Sequence, residues 1–320
     1  ICSADILTIR ENPERIADGF LIAVLYSKGL WQYIVQHAKG SLTRRIKWRE
    51  LASFEFDLPP LDQQRRIAEI LWSLDNALQE WRATQSLLLA AAKVILKAKM
   101  LGYSAEKAAR INSIADYIPP EGWGLTEAKE LVSSPITKGA TPSLHLNTAA
   151  ADIPFIKVYN LTFTGELDFA IQPTFVERSV HDSELKRSRV HSGDVLMNLV
   201  GPPLGKVAMV PESLPEANIN QAIAVYRMSS SSFRTFFLEY LMSDLAQDWL
   251  QSRSKKTSGQ QNLTLELAQR LPVPVPPQHY LEDALEHSRC FRRATLSIEQ
   301  AQNTCQRVIE SLGNHIFQAS

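Results

Sequence analysis

A long helix is predicted after Pro60 by the spacing of apolar residues. Pro59 and Pro60 end an extended segment, because proline lacks a backbone N–H, and Gly102 marks the end of the helix. Between them, apolar residues recur at alternating steps of three and four, which is typical of a helix that buries one stripe against a second helix. We call this stripe the seam, and it comprises Ile67, Leu71, Leu74, Leu78, Trp81, Gln85, Leu88, Ala92 and Ile95.

A second helix with an equivalent seam is predicted near the end of the chain. Val275–Ser288 (VPPQHYLEDALEHS) repeats the arrangement of Leu58–Leu71 (LPPLDQQRRIAEIL), and 277 − 60 = 217 aligns their second prolines. Adding 217 to the first seam gives Ala284, Ser288, Phe291, Thr295, Ile298, Gln302, Cys305, Ile309 and Leu312. Glutamine stands at the same step in both seams, Gln85 and Gln302, where a buried polar residue costs stability but can fix the helix register.

The remaining residues mix helical and strand patterns. Predicted helices cover Asn12 to about Gln36, a short turn near Trp48–Ser53, and Phe233 to about Ser252. Predicted strands cover Ile153–Leu161, Asp194–Gly201, Lys206–Val210 and Ile219–Met228, and Ser254–Asn262 forms a polar loop. These patterns predict an α+β protein in which a globular segment, a Pro-Pro exit and a long helix occur twice. Two similar surfaces joined by helices suit a target with two parts.

The first copy of this repeat is shorter than the second. The counterpart of Trp123 would fall at 123 − 217 = −94, so the first globular segment lacks roughly a hundred residues. The chain also begins with Ile1 rather than Met. Either the chain is a fragment of a longer parent or the first copy is a reduced version of the second, and we favour the fragment.

Composition excludes several classes of protein. The 320 residues carry 34 basic and 34 acidic side chains, which argues against a non-specific polycation but allows a local basic surface. There is no apolar run long enough to cross a membrane and no signal-peptide pattern, so a cytoplasmic protein without a membrane partner is expected. The 3 cysteines, Cys2, Cys290 and Cys305, offer neither a disulfide framework nor a metal site.

Catalytic motifs are not recognised. The segment Gly201–Val207 (GPPLGKV) is one residue too short for a phosphate loop and has valine where a Mg²⁺-binding Ser or Thr is needed. Histidines are scattered without ligand spacing, and His181 and His191 are predicted to be surface loop residues. The sequence therefore predicts no catalytic residues, no metal site and no enzyme activity of its own.

With these residues in view, the chain resembles the DNA-specificity (S) subunit of type I restriction–modification systems. The resemblance extends over essentially the whole chain, and its motifs are individually weak but specific in their order and spacing. They are PEGW (Pro120–Trp123), KGATPS (Lys138–Ser143), IPFIKVYNL, SGDVLMNLVGPPLGKVAMV, INQAI, SGQQNLTLELAQRLPVPVPP and PPLDQQRRIAEIL. The second junction departs from the pattern, since it reads PPQHYLED where the family usually has Pro-Pro-Leu-x-x-Gln.

The resemblance implies an architecture and a set of partners. Two mixed α/β target-recognition domains with β-rich cores would be separated by the two helices, which pair as an antiparallel coiled coil. The implied boundaries are 1–60 for the end of the first recognition domain, 61–102 for the central helix, 103–277 for the second domain and 278–320 for the last helix. Each domain would read half of a bipartite site in double-stranded DNA, and the helices would set the spacing. Two methyltransferase (M) subunits and restriction (R) subunits are the implied partners; S-adenosylmethionine, ATP and Mg²⁺ would belong to those partners, with no cofactor in this chain.

Candidate DNA-binding residues are polar or basic side chains in loops near strand ends. Lysine attracts phosphates regardless of sequence, whereas Gln and Asn can make paired hydrogen bonds with adenine. The candidates in the second copy are Lys138, Thr141, Lys157, Asn160, Lys206, Lys255, Lys256, Gln260, Gln261 and Asn262, and those in the first copy are Arg44, Arg45 and Lys47. For each residue, a solvated surface position is the competing interpretation.

Two other functional classes stay open at this point. One is a restriction or methylation enzyme whose motifs are not recognised. The other is a non-catalytic coiled-coil scaffold whose globular segments bind proteins rather than DNA. Methyl transfer by the isolated chain would favour the first, and the absence of salt-dependent DNA binding would favour the second.

Overall fold

The computed structural model describes residues 6–40, 44–142, 146–214, 216–257 and 259–316, except for the side chains of 312–316. The chain divides into two compact units. Unit 1 contains residues 1–89 and 291–320, and unit 2 contains residues 90–290. Every described helix is either too short or too polar to cross a membrane. Cys2 and Ser143 lie outside the described residues, as does the side chain of Leu312.

Helices and strands are distributed unevenly along the chain. The helices are α1 (Phe20–Tyr26), α2 (Lys28–His37), α3 (Trp48–Leu51), α4 (Leu61–Leu101), α5 (Ala105–Ala109), α6 (Arg178–Asp182), α7 (Ser231–Met242), α8 (Asp244–Arg253), α9 (Leu265–Gln269) and α10 (Gln278–Ile316). The strands are β1 (Gly124–Glu127), β2 (Thr137–Lys138), β3 (Ala151–Ile156), β4 (Phe175–Glu177), β5 (Arg189–His191), β6 (Val195–Asn198), β7 (Val200–Gly201), β8 (Val207–Met209), β9 (Glu216–Ile219), β10 (Ile223–Tyr226), β11 (Lys255–Thr257), β12 (Gln260–Asn262) and β13 (Pro272–Val275). The predicted α+β class and both long helices are confirmed.

The core of unit 2 lies between a sheet and the pair α7 and α8. The sheet has the order β2-β10-β6-β8, and β6 and β10 are buried along their whole length because their residues are nearly all apolar. Tyr226 of β10 packs on Phe237 of α7 with ring centroids 5.0 Å apart. The buried Tyr226 hydroxyl donates to the Ala268 carbonyl at 3.1 Å, which offsets the cost of burying a polar group.

A second sheet in unit 2 has the order β4-β3-β9-β5, with β3 and β9 parallel. The predicted strand Ile153–Leu161 is too long, because β3 ends at Ile156 and Val158–Asn160 forms a helical turn. The Asn160 side chain accepts a hydrogen bond from the Lys157 backbone N–H at 2.9 Å and thereby closes this turn.

Serine residues at equivalent positions break two helices that the apolar pattern predicts as continuous. The Ser27 hydroxyl donates to the Val24 carbonyl at 2.7 Å and accepts from the N–H of Leu30, so α1 ends and α2 begins there. Ser243 separates α7 from α8 in the same way. The separation, 243 − 27 = 216, is within one residue of the repeat offset, so the pair α1 and α2 is the counterpart of α7 and α8.

The seams of α4 and α10 face each other in unit 1. Leu71, Leu78, Cys305 and Ile309 are buried in one apolar cluster together with Phe20 of α1. Leu74, Trp81, Gln85 and Leu88 on α4, and Phe291, Ile298 and Gln302 on α10, are half-buried. The Cys305 thiol contacts the Leu74 carbonyl at 3.6 Å, and the Gln302 amide contacts Gln85 at 3.4 Å. Residues later in α10 therefore contact residues earlier in α4, as an antiparallel pair requires.

Within unit 2 the other ends of the same helices are joined by polar and aromatic contacts. Lys99 Nζ lies 2.6 Å from Asp283 Oδ2, and this hydrogen bond raises the pKa of Lys99 and lowers the pKa of Asp283. Trp123 packs edge-on against Tyr280 with ring centroids 5.2 Å apart. The start of α10 is thus held against the end of α4 in this unit.

Candidate nucleic-acid interface

The predicted polar loop at Ser254–Asn262 is a β-hairpin. Strand β11 pairs with β12, and the register places Lys255 opposite Asn262, Lys256 opposite Gln261 and Thr257 opposite Gln260. Gly259 adopts a φ of +81° between the strands, a conformation that glycine reaches without steric cost. A Cβ atom at Gly259 would meet nothing within 4 Å, so no packed neighbour limits the size of the residue at this position.

The register sorts the candidate residues onto two faces of the hairpin, because residues directly opposite each other point to the same side. One side, the Lys255 face, carries Lys255, Thr257, Gln260 and Asn262. The other side, the Gln261 face, carries Lys256 and Gln261. Lys255, Lys256, Thr257 and Gln260 are exposed, whereas Gln261 and Asn262 are half-buried.

The hairpin is joined to a loop that we call the proline loop, residues 200–206. Its first residues form β7, which pairs with β12 and places Gly201 opposite Gln261. The buried side chain of Asn198 holds the loop closed: its amide nitrogen donates to the carbonyls of Val200 at 2.9 Å and Pro203 at 2.8 Å. Its oxygen accepts from the backbone N–H of Lys206 at 2.8 Å. The candidate Lys206 therefore stands at the end of a loop that adjoins the hairpin.

The side-chain amide of Gln261 is hydrogen-bonded within the protein. Its Nε2 donates to the side-chain oxygen of Gln251 on α8 and to Ser254 Oγ at 2.7 Å. An adenine contact of the paired type needs both a donor and an acceptor from the same amide. Both N–H groups of Gln261 are engaged within the protein, so in this structure Gln261 anchors the hairpin. A direct contact of Gln261 with adenine stays a prediction.

The side chain of Asn160 is likewise hydrogen-bonded within the protein. It is fully buried, and its amide nitrogen donates to the carbonyls of Asp168 at 3.0 Å and Ile171 at 2.8 Å. Together with the bond from Lys157, these contacts leave no side-chain surface for a base or phosphate. In this structure Asn160 organises a loop, and a contact of Asn160 with DNA stays a prediction.

The other candidates in unit 2 lie on separate elements. Lys138 is exposed on β2, at the edge of the first sheet, and Thr141 is exposed just after it. Lys157 and Lys206 are half-buried. Lys206 ends the proline loop, whose first residues pair with the hairpin. Lys157 lies beside Tyr159, with its Nζ 5.9 Å from the ring centroid.

Unit 1 carries a corresponding basic turn. Lys39 and Arg45 exchange two backbone hydrogen bonds of 2.9 Å, which joins the residues after α2 to those before α3. We call this bridge the basic turn of unit 1. Adding 217 places this turn on residues 256–262, within the hairpin of unit 2. Arg44, Arg45 and Lys47 are exposed on or next to it. Both units thus present exposed cations at equivalent positions.

The part of the chain that the structure describes contains no cluster of metal-binding side chains. No group of three or more His, Cys, Asp or Glu residues there could hold a metal ion. His181 is buried rather than on the surface as predicted: its Nδ1 donates to Asn218 Oδ1 at 2.6 Å, and its Nε2 lies 3.4 Å from Glu216. Asn218 in turn donates to the Leu185 carbonyl, so this histidine belongs to an internal hydrogen-bond network.

Sequence reasoning missed the residues that support the hairpin. Asn198 and Gln251 were not candidates, although both contact the proline loop. One signal was available: Gln247 and Gln251 are spaced four residues apart and therefore share one face of α8. Two amides on one face of a helix indicate that this face needs hydrogen-bond partners.

In each unit, exposed cations follow a pair of short helices and precede one of the two long helices. Residues 1–88 match the family model described as the type I restriction modification DNA specificity domain. The resemblance to type I specificity subunits that the sequence motifs indicate is thereby confirmed.

Curated relatives agree with this match. The chain is 26% identical over 245 residues to the putative type I restriction enzyme MjaX specificity subunit of Methanocaldococcus jannaschii, covering 75% of this chain and 53% of the relative. It is 25% identical over 287 residues to the type I restriction enzyme EcoBI specificity subunit of Escherichia coli, covering 83% and 57%. The chain therefore spans little more than half the length of these relatives.

Solved structures share the fold. A chain from a structural study of complex assembly and conformational transition of the type I R-M system has a TM-score of 0.59 at 17% identity, covering 96% of this chain and 72% of that chain. The type I restriction-modification S subunit from M. genitalium has a TM-score of 0.54 at 16% identity, covering 97% and 75%. At this level of identity the likeness concerns the fold.

Proposed function

We propose that this protein recognises double-stranded DNA by sequence, as the specificity subunit of a type I restriction–modification complex. The observation that carries the proposal is the presence of exposed cations at equivalent positions of the repeat, Arg44 and Arg45 in the basic turn of unit 1 and Lys255 and Lys256 in the hairpin of unit 2. Each unit reads one half of a bipartite site, and α4 with α10 sets the distance between the halves.

The chemistry of the turns fits such a target. Exposed lysine and arginine side chains such as Lys255 and Arg44 attract phosphates and release counterions, which makes binding strongly salt-dependent. The exposed amide of Gln260, on the same face as Lys255, has the donor and acceptor that an adenine edge requires. Cations position the protein on the duplex, and the amide distinguishes bases.

The proposal also assigns partners. Two M subunits and R subunits assemble with this chain, and S-adenosylmethionine, ATP and Mg²⁺ bind to those subunits. The chain contributes recognition and no catalytic step, in a complex that acts in the cytoplasm. The proposed domains are 1–60 and 103–277, joined by the helices at 61–102 and 278–320.

Salt-dependent binding tests the central claim. The complex with M subunits is titrated with labelled duplexes at several salt concentrations, and we expect affinity to fall steeply with salt and to depend on sequence. Replacing Lys255 by Ala should weaken binding to every duplex, whereas Lys186→Ala, which removes an exposed lysine outside both turns, should not. Salt-independent association, or none, would favour the scaffold that binds proteins.

A domain exchange tests the assignment of one half-site to each unit. Residues 103–277 are replaced by the corresponding domain of a relative with a different target, and methylated sites are mapped. We expect one half of the site to change and the other to persist. A change in both halves contradicts the modular arrangement.

A further inference from the structure

Gln251 connects three elements that surround the candidate interface. It lies on α8, half-buried, and its Nε2 donates to the Leu204 carbonyl in the proline loop at 3.0 Å. Its Oε1 accepts from Gln261 Nε2 on the hairpin. The Gln251 amide thus donates to the proline loop and accepts from the hairpin, while the backbone of Gln251 belongs to α8.

Neighbouring bonds make this connection rigid. Ser254, which ends α8, donates to the Gln251 carbonyl at 2.8 Å and also accepts from Gln261 at 2.7 Å. One turn earlier on α8, Gln247 donates to the Gly205 carbonyl at 2.9 Å and the Leu241 carbonyl at 2.7 Å. The proline loop is therefore bound to α8 at two successive carbonyls, but only Gln251 also reaches the hairpin.

We propose that Gln251 is a positioning residue for DNA specificity, which fixes the hairpin against the proline loop through Gln261 so that Gln260 is presented at one place. This inference rests on the proposed function. The bond to Gln261 lies on the opposite side of the hairpin from Lys255 and Gln260. The Gln251–Gln261 bond therefore acts on a base-reading residue without itself contacting the DNA.

The repeat predicts that loss of Gln251 affects only one of the two half-sites. Subtracting 217 from Gln251 and Gln261 gives Ile34 and Arg44, neither of which carries a side-chain amide. Arg44 is exposed, and Ile34 packs against the apolar cluster of unit 1. These two positions of unit 1 cannot form an amide–amide bond, and Gln251 itself lies in unit 2, so loss of Gln251 should alter recognition of one half-site only.

Two substitutions separate the two bonds of this amide. Gln251→Leu removes both the donor to Leu204 and the acceptor for Gln261. Gln251→Glu removes the donor but keeps an oxygen for Gln261, so the hairpin remains attached to α8. We expect Gln251→Leu to relax specificity and Gln251→Glu to retain most of it. Gln278→Leu, at the exposed start of α10, is the matched control.

The test measures affinity of the M-subunit complex for the target duplex and for duplexes with each base pair replaced in turn. For Gln251→Leu we expect discrimination to fall about tenfold at positions within one half-site, the range that a single base contact supplies, with the salt dependence unchanged. A merely structural role would weaken all duplexes alike. Equal loss at both half-sites, or no loss, overturns the proposal.

Hydrogen exchange provides a readout that needs no DNA. Backbone N–H groups of β11 and β12 should exchange faster in Gln251→Leu than in the unsubstituted protein and in Gln278→Leu, because the hairpin has lost its anchor. Unchanged exchange overturns the role of Gln251 whatever the DNA result. If the unsubstituted complex itself shows no preference among duplexes, the proposed function fails and the positioning role fails with it.

Discussion

The side-chain amide of Gln302 donates to Gln85 Oε1 at 3.4 Å, and these residues are 217 positions apart. Since 217 is also the repeat offset, each glutamine is the sequence counterpart of the other. Gln85 Nε2 in turn lies 3.5 Å from Glu299 Oε1. A polar layer therefore interrupts the apolar seam at the point where the two copies of one sequence position meet.

Replacing both glutamines by leucine should stabilise the helix pair. A hydrogen bond between half-buried amides contributes little net stability, and exchanging both partners for apolar side chains is neutral or favourable. We expect Gln85→Leu with Gln302→Leu to raise the free energy of unfolding by about 1 kcal/mol, measured by urea denaturation. Each single substitution should gain less, because the other amide loses its partner; a double variant less stable than either single contradicts this account.

The two lysines of the hairpin should differ in their effect on DNA binding. Lys255 shares a face with Gln260, whereas Lys256 shares a face with Gln261, which is bound to α8. Affinity falls with salt, so the slope of log affinity against log salt is negative. Lys255→Ala should reduce the magnitude of this slope by about 0.9, the value for one lost phosphate contact. Lys256→Ala should change it less. A larger effect at Lys256 would mean that the Gln261 face is turned toward the DNA.

Asn160 should matter for stability and not for recognition. Asn160→Ala leaves the Lys157 N–H and the carbonyls of Asp168 and Ile171 without their side-chain partner. We expect a loss of about 1–3 kcal/mol in unfolding free energy, the cost of unsatisfied buried polar groups. The salt dependence of DNA binding by the folded variant should stay unchanged. Lys157→Ala, which keeps the backbone N–H, is the control. Weaker DNA binding by an Asn160→Ala variant of unchanged stability would show that Asn160 belongs to the DNA interface.

Lengthening α4 should move the half-sites apart. Four residues inserted after Ala83 add about 6 Å of helix, or one to two base pairs at roughly 3.4 Å per step. We expect both half-site sequences to persist while the gap between them grows by that amount. Mapping of methylated sites for the insertion variant, assembled with its M subunits, measures the gap. An unchanged gap would show that the helices do not set the spacing.

The sequence by itself determined the elements that depend on local periodicity. Seam residues such as Leu71 and Leu78 on α4 identify the long helix, because a heptad pattern needs no knowledge of the partner. The repeat likewise predicted basic candidates in both copies, Arg44 and Arg45 in the first and the loop Ser254–Asn262 in the second. The sequence did not predict the helix breaks at Ser27 and Ser243, because the apolar pattern continues across a serine that caps the next helix.

Only the tertiary structure decided which side chains are available to a ligand. Lys255 and Lys256 are neighbours of the same type, and their separation onto two faces follows from the register of β11 with β12. Gln261 loses its free amide to Gln251, which is 10 residues away and on a helix. Gln251 meets Leu204 across 47 residues. Hydrogen-bond partners this distant leave no local pattern, because a polar side chain looks the same in sequence whether it faces solvent or another amide.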